Sequence, residues 1–64
     1  MNTELRQNSI LKIIKENGNI SAIEISKILN VSARTIERDL KELKEENKIE
    51  YVGSRKSGKW IIKE

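Results

Sequence analysis

The fold of this chain turns on one stretch, Val31-Ser32-Ala33-Arg34-Thr35-Ile36-Glu37-Arg38-Asp39-Leu40, together with Ser21 to Leu29 just before it. Both segments have the spacing of short amphipathic helices, and a turn of about three residues separates them. With Ala33 at zero and ~100° per residue, Ile36, Leu40 and Leu43 fall at ~300°, ~340° and ~280°. On the same wheel Arg34, Arg38 and Lys41 fall at ~100°, ~140° and ~80°, opposite the apolar side. The acids Glu42, Glu46 and Asp39 gather at ~180°, ~220° and ~240°, off to one flank. Any surface helix turns charge outward, but that habit alone does not sort the signs. Two helices across a tight turn, the second basic on its outer face, make the helix-turn-helix pattern, whose second helix is shaped to enter the major groove of DNA.

The flanking residues supply the stops and starts. Ser32 is placed to cap the second of these helices, which the spacing extends over residues 33–46. Asn30 stands where the turn calls for a left-handed backbone, which Asn tolerates. Ser21 and Glu24 have the spacing of a capping box, each satisfying a free backbone donor of the other. Ala22, Ile25, Ile28 and Leu29 are expected on the core side, and Ser26 is small where the two helices approach. Upstream, residues 3–17 read as a first helix capped by Asn2 or Thr3, with Ile10, Leu11, Ile13 and Ile14 as its apolar stripe. Asn17-Gly18-Asn19 ends it, with Gly18 expected to take the left-handed conformation. Leu5 falls outside the stripe, either as a simply exposed leucine or as a contact for another domain or subunit. Ile20, β-branched and alone between polar neighbours, fits a short strand.

Beyond the helices the period changes to two. Residues 49–52 and 60–63 are rich in β-branched and aromatic side chains and flank a seven-residue basic loop, Gly53 to Lys59. This predicts a β-hairpin, packed on the helices through Trp60 or Ile62, because a lone hairpin is marginal in water. The expected fold is therefore α+β, a single domain over residues 1–64, with the two-helix motif at about 21–47 and a two-stranded wing at about 49–63.

Composition narrows the function. A 64-residue chain with no Cys has no disulfide or thiolate site, and with no His its metal ligands would have to be carboxylates lacking the spacing of a calcium loop. No metal and no cofactor are expected. No apolar run is long enough for a membrane span or signal-peptide core, so the chain reads as cytoplasmic. The net charge of +3 resides wholly in residues 51–64, where Arg55, Lys56, Lys59 and Lys63 face only Glu64. A basic patch of this kind is an electrostatic footprint for a polyanion.

Ile20-Ser21, Glu24-Ile25, Val31-Ser32, Arg34-Thr35-Ile36, Arg38-Asp39-Leu40 and Leu43 together resemble the N-terminal domains of bacterial and archaeal regulators of the deoxyribose-operon repressor (DeoR) family. The N-terminal domain of the biotin repressor is a looser likeness. The segment from Gly53 to Trp60 is also similar to winged-helix tails of helicase-like or AAA-type ATP-binding regulators. The resemblance implies a winged helix-turn-helix that binds double-stranded DNA and regulates transcription. Full-length members of these families carry a ligand-binding or catalytic domain after the wing. The implied partners beyond DNA are thus a second copy of the chain or a separate effector or ATP-binding domain.

On this reading Arg34 and Arg38 face guanine O6/N7, because the planar guanidinium fork matches two acceptors. Ser32 and Thr35 reach phosphates or thymine methyls, and Lys41 a phosphate. Glu37 either accepts from cytosine N4 or repels the backbone, with repulsion favoured. Arg55 and Lys56 follow the backbone or enter the minor groove, and Lys59 adds a phosphate contact. The competing reading is a protein–protein adaptor built on the same fold. It calls for apolar or acidic residues where this helix shows arginine. An enzyme lacks support, since the chain has no His or Cys nucleophile or base and no glycine-rich loop before a helix. Asp39, about 100° from Arg38, is expected to pair with the wing or the first helix.

Overall fold

A computed structural model describes residues 2–53 and 58–63. Three helices come first, α1 (Thr3–Glu16), α2 (Ala22–Leu29) and α3 (Ala33–Glu45). They are followed by strands β1 (Ile49–Val52) and β2 (Lys59–Ile62), paired antiparallel. This is the α+β layout of a winged helix-turn-helix. Each helix begins at a polar cap. Asn2 Oδ1 accepts from Leu5 N–H at 2.8 Å, and Ser21 and Ser32 accept from Glu24 and Thr35 N–H, each at 3.2 Å. Such a cap satisfies a backbone donor that the helix itself cannot. At Ser21 only this half of the expected capping box forms.

Asn30 closes α2 in the left-handed region, at φ 56° and ψ 46°, as the turn required. Asn47 does the same for α3 at φ 64°. There Lys48 N–H reaches back to Leu43 C=O at 2.9 Å and Asn47 N–H to Lys44 C=O at 3.0 Å, the paired bonds of a Schellman ending. The Asn47 side chain accepts from Lys63 Nζ at 3.1 Å, and Lys63 N–H donates to Lys48 C=O at 2.8 Å, so the end of the hairpin is tied to the foot of α3.

The core is almost wholly aliphatic: Ile10 and Ile14 from α1, Ile20, Ile25 from α2, Ile36, Leu40 and Leu43 from α3, and Ile49 from β1. In the hairpin Ile49 pairs with Ile62 and Tyr51 with Trp60, which puts these four on one face. The Tyr51 and Trp60 rings meet edge to face at 4.9 Å.

Several expectations are corrected by this arrangement. Ile20 forms no strand, because its N–H turns back to Asn17 C=O at 3.2 Å and one bond alone, Trp60 N–H to Gly18 C=O at 2.7 Å, joins this segment to β2. Its side chain is buried in the core instead. Gly18 is not left-handed; Gly53, at φ 104°, is the glycine with positive φ among the described residues. Gly18 is needed for proximity, since a Cβ there would lie 2.5 Å from Trp60 O. Ile28 does not face the core and is 60% exposed. With Ile25 at zero, the buried and half-buried positions of α2 centre at ~50°, and Ile28 falls ~110° away from that centre. The deepest anchor of the hairpin is Ile49, with Trp60 and Ile62 half-buried around it, and the second strand starts one residue earlier than expected.

Candidate nucleic-acid interface

The apolar edge of α3 is buried between α1, α2 and β1, which leaves its opposite edge facing outward. Arg34 and Arg38 are exposed there, Thr35 is half-buried, and with Ser32 these residues line one shallow recess beside the start of α3. No acid occupies the first turn of the helix, whose free N–H groups make that end electropositive. The Ser32 and Thr35 hydroxyls bond to each other at 2.9 Å. Two hydroxyls hold two protons and this bond uses one, so one O–H remains for an outside acceptor.

The charges of α3 are handled in two ways. On the flank that meets α1, Asp39 is buried, 1% exposed, and accepts two bonds from the Arg6 guanidinium, Nε to Oδ2 and Nη2 to Oδ1, the latter at 3.0 Å. The bond to Asp39 holds the Arg6 guanidinium protonated even above its ordinary range. One turn on, Glu42 accepts from Gln7 Nε2 at 2.9 Å. The outer face is different. Among the described residues Arg34, Arg38 and Lys41 have no ion-pair partner, although acids lie nearby along the helix.

Lys41 lines a second recess with Ala22, Glu37, Leu40, Lys44 and Trp60, where α2, α3 and β2 meet. Sequence reasoning does not single out Lys44. At ~20° on the wheel it lies between the core edge and the basic arc, one turn beyond Lys41, and Trp60 packs into the recess that both lysines line. Lys59 opens β2 on the other side of Trp60, in a recess with Ile14, Lys15 and Gly18, and is not gathered with the α3 residues. Arg55 and Lys56 lie outside the described residues. Asp39 does pair with the first helix, and its partner Arg6 is another residue that spacing alone does not single out.

Three helices, a left-handed turn between the second and third, and a two-stranded wing define the class as a helix-turn-helix domain with a basic outer edge on its last helix. The sequence signature of the family described as an HTH domain matches residues 6–58. The chain belongs to the helix-turn-helix domain family, a DNA-binding class. No curated protein and no solved structure matches the chain. No helix among the described residues is long and apolar enough to cross a membrane.

Proposed function

We propose that this chain is one winged helix-turn-helix domain, spanning residues 1–64, that binds double-stranded DNA as a transcriptional regulator or as the DNA-binding module of one. The observation that carries this reading is the outer edge of α3, where among the described residues Arg34, Arg38 and Lys41 have no ion-pair partner, while Asp39 and Glu42 on the other flank are engaged by α1. The resemblance to deoxyribose-operon and biotin repressors supports the regulatory part.

In this reading the N-terminal turns of α3 enter the major groove, where Arg34 and Arg38 each present a fork to guanine. The free hydroxyl proton of the Ser32–Thr35 pair donates to a phosphate, as do Lys41, Lys44 and Lys59. Toward the C-terminal end of α3 the acids Glu42, Glu45 and Glu46 outnumber Lys44, so that end is attracted to the duplex less than the N-terminal turns. This polarity orients the helix N-terminus first. Arg55 and Lys56 add two cations from the wing.

Selection of binding sites from random duplex DNA tests the reading, and a recovered motif establishes activity and specificity together. Five to seven phosphate contacts predict that log affinity falls with log salt at a slope of about −4 to −6. Replacing both Arg55 and Lys56 with Ala should reduce that slope by about two while leaving stability within about 0.5 kcal/mol. A salt-independent response removes the electrostatic mechanism. An adaptor would show neither a motif nor a slope.

A further inference from the structure

We propose that Arg6 and Asp39 are positioning residues that fix the rotation of α3 about its own axis, and so the angle at which Arg34 and Arg38 meet the duplex. The DNA half of this inference rests on the reading above. The core contacts of α3 come from Ile36, Leu40 and Leu43 against other aliphatic side chains. Such contacts are non-directional. The directional contacts between α1 and α3 are the bidentate Arg6–Asp39 pair and the Gln7–Glu42 bond, both from the first half of α1. A planar fork holding both carboxylate oxygens fixes orientation as well as distance.

The leverage is large. A rotation of about 20° moves groups at the roughly 6 Å side-chain radius of a helix by about 2 Å. Hydrogen bonds tolerate only about 0.5 Å. Asp39 directly follows Arg38 in the helix, so whatever holds Asp39 sets Arg38. The burial of the pair, 1% exposed at Asp39 and 13% at Arg6, argues in the same direction. Buried ion pairs add little net stability over an apolar pair of similar volume, and their best-attested use is to specify one arrangement.

The test is the double variant Arg6→Met/Asp39→Leu in the full chain, with Arg6→Lys as a second variant that keeps the charge and loses the fork. Circular dichroism melts establish folding. Residual dipolar couplings of the α1 and α3 amides report the relative orientation of the two helices without DNA. The expected result is a folded double variant with altered or averaged α3 couplings. Its preference for the selected site over random duplex should fall about tenfold or more, the loss of about one bidentate base contact, while the salt slope stays parental. A folded double variant with parental couplings and parental preference overturns the proposal. If the double variant does not fold, Arg6→Lys decides, and parental couplings there overturn it. A parent chain that binds no DNA sinks the DNA-binding reading, while the couplings still decide whether the pair sets the rotation of α3.

Discussion

The two flanks of α3 carry opposite charges and treat them oppositely. Against α1, Asp39 is out of water and held by the Nε–H and Nη2–H of Arg6. About 100° round the helix, Arg38 stands in solvent with no acid among the described residues engaged, although Glu42 lies one turn further on. A carboxylate taken from water must be matched, or the fold loses several kcal/mol. A guanidinium left in water costs nothing and keeps its five donors available. Inside, then, charge reports on how the helices are held; outside, unpaired charge reports on what the helix meets.

The sharpest way to break this comparison is Asp39→Ala, which strands Arg6 against the core. We expect a loss of about 3–5 kcal/mol, enough to unfold much of so small a domain, read as a shift of the urea midpoint. A melt unchanged by the substitution would show the pair to be solvated. Arg38→Ala tests the other flank. It should cost about 1–3 kcal/mol in binding to the selected site and relax one position of the motif, with stability within about 0.5 kcal/mol. Lys41→Ala should instead weaken all duplexes alike, and equal behaviour of the two variants on specific and random DNA would remove base readout from Arg38.

Ser32 sits at the junction of the two regimes, capping α3 and lining the exposed recess. Ser32→Ala should therefore register in both assays, with about 1 kcal/mol lost from the fold and a smaller loss in DNA affinity. An effect on binding with none on the melt would mean that the cap contributes nothing. The smallest expected effect is at Glu37, exposed beside the basic arc. Removing its charge with Glu37→Gln should tighten binding to random duplex by about 0.2–1 kcal/mol at low salt and by less at high salt. Weaker binding to one motif position would instead make Glu37 a reader of cytosine.

The helices, the residues that open them, the left-handed Asn30 and the basic arc of α3 were all legible in the sequence. Each depends on residues within one or two turns of one another, and the helical period sorts them without knowledge of a partner. Tertiary structure alone decided the rest. Gly18 resembles a helix ending in sequence, and only the arrival of Trp60 O shows that it makes room for a strand. Ile28 has the spacing of a core residue, and it lies in solvent because the buried arc of α2 runs from Ile25 to Ser26 and is centred between Leu29 and Ala22. Lys41 and Lys44 are neighbours by helix spacing, but the recess they line exists only because β2 folds back to place Trp60 there. Arg6 and Asp39 stand 33 positions apart, and no local rule connects them. Hydrophobic period and capping are short-range and so are written along the chain. Which surfaces meet, and which charge is thereby taken from water, is settled only when elements distant in sequence are packed together.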